Sequence, residues 1–159
     1  MAAGEYLASS SGGGDSYSSL RHNRYVAHPR MYDPKDPLLT RVREIALAFP
    51  GSEEKESHGR PAFYTRKVFA YYGGSVKVDG DWVQHDQAII FLPDSGERPA
   101  LEADGRFWVP AYLGPSGWLG LDLDTGSDFE EVAELLNDSY RVTAPKRLVG
   151  ELDEVDGAV

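Results

Sequence analysis

The stretch "PAFYTRKVFAYY", residues 61–72, predicts a β-hairpin and decides the fold class. It consists of two short runs rich in aromatic and β-branched residues on either side of "TRK" (65–67). Aromatic and β-branched residues are enriched in strands, and a polar tripeptide between two such runs is typical of a turn. The basic pair of this tripeptide is therefore expected near the tip of a hairpin.

A second strand is predicted at "QAIIFLP", residues 87–93. This continuous apolar run has the length of a strand and is bounded by polar residues and a proline, which favours a central position in a sheet. Between the two signals, Gly73-Gly74 is expected to end the hairpin, and "DGD" (79–81) is expected to form a turn.

The chain after this strand returns to the sheet. "SGERPALEADG" (95–105) predicts a short helix that Gly105 closes. Residues 106–124 then predict an edge strand interrupted by Pro110, a glycine-rich loop, and a further strand over 118–123.

Two amphipathic helices frame these strands. Asp36 can cap the first helix and Pro37 suits its first turn, while "PG" (50–51) ends it. Ser127 and Glu130 predict a capping box at the start of the second. The apolar faces are expected to be Leu38, Val42, Ile45 and Phe49 in the first helix, and Phe129, Val132, Ala133, Leu136 and Tyr140 in the second.

Composition indicates one soluble globular domain with tails. The chain has 159 residues and a formal net charge of -10, and it has no apolar run of the roughly 18 residues that a membrane span needs. Residues 1–36 are rich in Ser and Gly and predict a disordered tail. We expect the domain at 37–150, with a short last helix in "PKRLVG" (145–150), and an acidic C-terminal tail at 151–159. The first residues lack the features of a signal peptide, which favours the cytoplasm.

Metal, thiol and nucleophile chemistry find little support. The chain has no cysteine, and His58 and His85, two of its four histidines, stand far apart, so neither a metal site nor a bound cofactor is expected. "GPSGW" (114–118) does not match the motif of a nucleophilic serine and is read as a connection between strands.

One segment of this acidic chain contains no acid. Residues 57–78 carry four cations and no Asp or Glu. A basic hairpin could contact phosphates, or the cations could simply balance the acidic residues on either side. The candidate nucleic-acid contacts are Arg60, Arg66, Lys67 and Lys77.

An aromatic group around the glycine-rich loop suggests a different site. Large aromatic rings commonly fill cores, but here one or two of them could line a shallow groove for a small molecule together with a histidine, or could stack a nucleic-acid base. The candidate groove residues are His58, Trp108, Tyr112 and Trp118.

Three stretches, taken in order, resemble the MmcQ/YjbR family: "FPGSEEKESHGRPAFYTRKVFA" (49–70), "FWVPAYLGPSGWLGLDLD" (107–124) and "DFEEVAELLNDSYRVTAPKRL" (128–148). The resemblance implies an α/β (α+β) two-layer sandwich like that of CyaY and frataxin, with an antiparallel sheet covered by helices on one face. An acidic ridge like that of frataxins is missing from the first helix, which holds Glu44 against Arg41 and Arg43, so iron delivery is disfavoured.

Two hypotheses stand for the function, of which only the first follows from the resemblance. The first is a non-catalytic binding module, with DNA as the candidate partner, in a double-wing arrangement formed by the first hairpin and by the strand pair around residues 108–121. The second is a small-molecule binder or enzyme that uses the groove near His58, Trp108 and Tyr112. A monomer without a membrane partner is the default expectation.

Overall fold

A six-stranded antiparallel sheet forms the centre of the computed structural model, which describes residues 29–157. The strands lie in the order β1-β2-β3-β4-β6-β5. They are β1 (Glu53–Ser57), β2 (Arg60–Tyr64), β3 (Val68–Val78), β4 (Asp81–Phe91), β5 (Phe107–Trp108) and β6 (Leu119–Asp122). The helices are α1 (Pro37–Ala46), α2 (Arg98–Ala103), α3 (Phe129–Thr143) and α4 (Lys146–Gly157), with a 3₁₀ turn at Gly114–Ser116.

Short turns connect the first four strands. The predicted hairpin is confirmed, because Tyr64 pairs with Val68 and leaves "TRK" (65–67) as its tip. The predicted "DGD" turn is confirmed as well. Asp79 and Gly80 connect β3 to β4 with φ angles of 51° and 86°, as a two-residue hairpin turn requires.

The prediction that Gly73-Gly74 ends the hairpin is wrong. β3 continues through both glycines to Val78, and the register with β4 shifts between Tyr72 and Gly74. Gly73 has a φ of 85°, which glycine adopts without steric cost, so the strand bends at this point and then resumes its pairing. β3 and β4 thus form one long, bent hairpin at the centre of the sheet.

One face of the sheet carries the hydrophobic core, which confirms the predicted two-layer α+β fold. Neighbouring residues along a strand point to opposite faces, and Phe63, Tyr72 and Ile89 point toward α1, α3 and α4. The fully buried residues of this core include Leu39, Val42, Phe63, Phe69, Tyr72, Ile89, Phe91, Leu119, Leu136 and Tyr140.

The helix α3 begins one residue later than the predicted capping box requires. Asp128 is the N-cap, and its Oδ1 accepts hydrogen bonds from the backbone of Glu130 and Glu131 at 3.0 and 3.3 Å. Ser127 instead accepts a hydrogen bond from the backbone of Asp124, so the predicted Ser127 cap is wrong. Ionised Asp is at least as good a cap as Ser, and it adds a charge that favours the helix N-terminus.

At both ends, residues outside the predicted domain 37–150 contact the folded part of the chain. α4 runs to Gly157 and buries Leu152, so most of the stretch assigned to an acidic tail is helical. At the other end, the Met31 amide donates to the Gly59 carbonyl at 2.9 Å. Most of the predicted disordered tail, residues 1–28, lies outside the described residues. Within 29–157, no helix is long and apolar enough to cross a membrane.

Candidate ligand-binding pocket

The second face of the sheet is covered by a loop. Four residues directly opposite one another on adjacent strands define this loop-covered face: Tyr71 on β3, Ile90 on β4, Gly120 on β6 and Trp108 on β5. The connection between β5 and β6, residues 109–118, folds back over it, and the Ala111 amide donates to the carbonyl of Ser75 at 2.9 Å. Successive residues of the central strands therefore face either the hydrophobic core or the loop.

A pocket of about 520 Å³ lies between this face and the loop. Tyr71, Gly74 and Ile90 line it from the sheet, and Arg60 and Gln84 bring polar groups to it. The remaining lining residues are Met31, Ser57, His58, Gly73, Ser75, Pro110, Ala111, Tyr112 and Leu113.

Two glycines shape the floor of the pocket. An ideal Cβ at Gly73 would lie 2.3 Å from Nη1 of Arg60, and one at Gly74 would lie 2.1 Å from Cδ1 of Ile90. Both distances are far shorter than van der Waals contact, so a side chain at either position would displace its neighbour. The glycine pair thus allows Arg60 and Ile90 to lie across β3.

Arg60 is held at the pocket rather than at the hairpin tip. Its residue exposure is 7%, and Nη2 donates to Gln84 Oε1 at 2.7 Å and to Asp86 Oδ1 at 3.0 Å. Nη1 donates to the carbonyl of Met31 at 3.3 Å. A buried arginine needs such partners, because an unpaired charge is costly away from water.

One lining residue, Tyr112, belongs to an aromatic pair with Trp82, which lies outside the pocket lining. Tyr112 is 84% exposed, has a φ of 66°, and its ring stacks on that of Trp82 with centroids 5.9 Å apart. Lys77 places its Nζ 5.5 Å from the centroid of the Trp82 ring, within range of a cation–π interaction. A positive φ is uncommon outside glycine, and such conformations concentrate at functional sites.

Two of the four predicted groove residues line this pocket. His58, in the turn between β1 and β2, and Tyr112 both border it. Trp108 instead covers Gly120 and stacks on His85 with centroids 4.1 Å apart. Trp118 is only 9% exposed, and its ring packs edge-on against Tyr71.

The structure does not bring the four predicted nucleic-acid contacts together. Arg66 and Lys67 are exposed at the β2–β3 tip, whereas Arg60 begins β2 at the opposite end of that strand and Lys77 lies near the far turn of the β3–β4 hairpin. The tip has other basic neighbours, which the sequence pattern did not reveal. Arg66 and Arg147, the second residue of α4, line one cleft of about 400 Å³.

The chemistry of the pocket is that of hydrogen bonding and apolar contact. Burial raises the pKa of the Tyr71 phenol above its ordinary value, so its hydroxyl stays protonated at neutral pH and can donate. Across residues 29–157, no group of three or more His, Cys, Asp or Glu side chains is arranged to hold a metal ion.

The fold defines an α+β two-layer protein, with helices on one face of its sheet and a loop-bounded pocket on the other. Its family follows from a comparison of the sequence with family models. The chain belongs to the YjbR family, whose model matches residues 47–142. That range contains every residue that lines the pocket except Met31. No curated protein matches the chain.

Proposed function

We propose that the chain is a non-catalytic binding module that takes a small organic molecule in the pocket on the loop-covered face. The observation that supports this proposal is the combination of volume and lining. A concave site of several hundred Å³ that joins apolar surfaces to a few convergent polar groups is typical of small-molecule sites. Here Ile90 and Leu113 supply apolar surface, and Arg60 and Gln84 supply hydrogen-bonding groups.

The pocket is also largely pre-organised. The backbone hydrogen bond from Ala111 to Ser75 ties the loop to β3, and the amide of Gly114 donates to the carbonyl of Pro110 at 2.9 Å. Arg60 is fixed by three acceptors. A site whose walls are ordered before binding loses less conformational entropy when a ligand arrives.

A matched pair of pocket variants tests this proposal. Ala111→Trp would fill the pocket without removing a backbone hydrogen bond, and Ala103→Trp places the same side chain on an exposed position of α2. Compounds from a fragment library that perturb the NMR signals of pocket residues in a saturable way should lose affinity in Ala111→Trp and keep it in Ala103→Trp. Equal binding to both variants, or no saturable binder at all, would contradict the proposal.

DNA binding is a second candidate function, and one observation favours it. Arg66 and Arg147 line one cleft where the β2–β3 tip meets the start of α4, and Lys67 and Lys146 are their neighbours in sequence. Cations clustered on one surface of an otherwise acidic chain can neutralise several phosphates. Only Arg147 among them forms an ion pair within the described residues, with Glu151 at 3.1 Å.

The second wing of a double-wing arrangement receives less support. The stretch proposed for it, residues 108–121, contains no Lys or Arg. Phosphate contacts are made mainly by basic side chains, with polar side chains and backbone amides in addition. The DNA proposal therefore depends on the β2–β3 tip and the start of α4 alone.

A further inference from the structure

The pocket is free of acids in a strongly acidic protein. Although the chain has a formal net charge of -10, none of the described residues that line the pocket is Asp or Glu. Half of the lining comes from the acid-free segment 57–78. Those residues are Ser57, His58, Arg60, Tyr71, Gly73, Gly74 and Ser75. The missing acids thus coincide with a concave site.

We infer that the ligand of this pocket is an organic carboxylate with an apolar body, an inference that depends on the proposed small-molecule function. The charged end of the ligand lies on the side of Arg60 and His58, and its apolar body lies against the side chains of Ile90 and Leu113. Charged hydrogen bonds are stronger than neutral ones in a site shielded from water. An acid in the lining would repel such a ligand, which explains the composition of segment 57–78.

The geometry of Arg60 favours a single negative charge. A guanidinium has five N–H donors, and the partners of Arg60 take both donors of Nη2 and one of Nη1, so the Nε donor and one Nη1 donor remain for a ligand. Three acceptors already engage Arg60, of which only Asp86 carries a charge. The Asp86 side chain is 62% exposed and lies outside the pocket lining. Its carboxylate therefore partly neutralises the positive charge of Arg60 from the solvent side. One partly compensated arginine suits a monoanion better than a phosphate dianion.

The same arrangement makes Asp86 a competitor of the ligand. Its Oδ1 and the carboxylate of the ligand both attract the Arg60 guanidinium, and like charges near one another repel. Asp86→Asn removes the competing charge at an exposed position. Asp81→Asn, at the first residue of β4, removes one charge without touching Arg60 and serves as the matched control.

The test uses aromatic compounds that share a ring and differ in its substituent, which is a carboxylate, a neutral amide or a cationic aminomethyl group. They are 2-naphthoate, 2-naphthamide and 2-naphthylmethylamine, with benzoate, benzamide and benzylamine as the smaller series. Isothermal titration calorimetry measures each Kd with the full chain. The carboxylate of each series should bind about tenfold more tightly than its amide, and the amine should bind most weakly.

The variants locate the charge that is responsible. Arg60 is buried and its replacement puts the fold at risk, so Asp86→Asn is the variant tested. It should tighten the binding of 2-naphthoate several-fold and leave the binding of 2-naphthamide unchanged. Asp81→Asn should change neither affinity. Amides or amines that bind as tightly as carboxylates, and that Ala111→Trp excludes, would overturn the inference but leave the small-molecule function standing. If no compound of either series binds but other fragments do, and Ala111→Trp excludes them, the inference fails alone. If no fragment binds either, the proposed function fails as well.

Discussion

The guanidinium of Arg60 occupies the space that a side chain at Gly73 would need. An ideal Cβ at Gly73 lies 2.3 Å from Nη1 of Arg60 and 3.2 Å from the carbonyl oxygen of Asp86, and the φ of Gly73 is 85°. The bend of the central hairpin and the position of the buried arginine therefore depend on the same glycine.

Gly73→Ala should destabilise the protein by more than its backbone conformation alone explains. The left-handed conformation costs a non-glycine residue about 1–2 kcal/mol, and displacement of Arg60 adds to this. Gly80→Ala is the matched control, because Gly80 has a φ of 86° but no atom within 4 Å of its Cβ position. Urea unfolding of both variants measures the difference. Equal losses of stability would show that Arg60 moves aside at no cost.

Leu136→Ala should cost about 2–5 kcal/mol through the cavity it leaves, since Leu136 is fully buried between α3 and the sheet. Val142→Ala on the same helix removes apolar atoms at a position that is 48% exposed, and it should change the free energy of unfolding by no more than about 0.5 kcal/mol. Thermal or urea unfolding compares the two. Similar midpoints for both variants would mean that α3 presents a different face to the core.

Local patterns predicted the elements well, and tertiary placement decided what they missed. The "TRK" tip and the "DGD" turn depend on residues close in sequence, so the sequence alone predicts them. The α3 face is predicted in part: Val132, Leu136 and Tyr140 are buried, whereas Phe129 and Ala133 are half-buried and Leu135 is buried in addition. The prediction for Gly73-Gly74 is wrong because a glycine pair suits a bend within a strand as well as the end of one, and only the pairing with β4 distinguishes the two.

The candidate site required information that no local pattern carries. Arg60 and Arg66 are six positions apart, but β2 places them at opposite ends of a strand, one at the pocket and one at the tip. Arg147 reaches the cleft beside Arg66 through the packing of α4, about 80 residues further along the chain. His58 and Tyr112 were predicted to share a groove, and both line the pocket.

Stability should fall as the pH rises above about 10. Burial, followed by the hydrogen bond to Asp36, raises the pKa of Tyr72, and burial raises the pKa of Tyr71 and Tyr140. In the unfolded chain these phenols ionise near their ordinary value of about 10. The unfolded state then binds fewer protons than the folded state, so the free energy of unfolding decreases with pH. Urea unfolding between pH 8 and 11 measures this slope.

Tyr72→Phe isolates one part of this effect. The Tyr72 hydroxyl donates to the buried Asp36 carboxylate, which also accepts hydrogen bonds from the Leu38 amide and the Gln87 side chain. Losing this donor should cost about 1–3 kcal/mol at neutral pH and flatten the alkaline slope. Tyr32→Phe removes the same atom from an exposed hydrogen bond with Glu56 and should have little effect on either quantity. An unchanged slope in Tyr72→Phe would assign the alkaline loss to other groups.

The DNA hypothesis makes a prediction about salt. If the β2–β3 tip contacts phosphates, binding should be weak, largely independent of sequence and steeply weakened by salt, because counterion release drives it. Arg66→Glu with Lys67→Glu should abolish binding and leave the fold intact, since both residues are exposed at a turn. Arg147→Gln should flatten the salt slope by about 0.9 if that side chain contacts one phosphate of duplex DNA.

A matched charge reversal separates local contact from net charge. Lys35→Glu with Lys77→Glu changes the net charge by the same amount at exposed positions away from the tip, so DNA affinity should fall much less than in the tip variant. Fluorescence anisotropy with duplex and single-stranded oligonucleotides over a salt series measures all variants. An equal loss in both double variants would mean that only overall charge matters. Electrostatic attraction is strongest at low salt. If the parent chain does not bind DNA even there, the basic residues of the tip only balance the charge of nearby acidic residues.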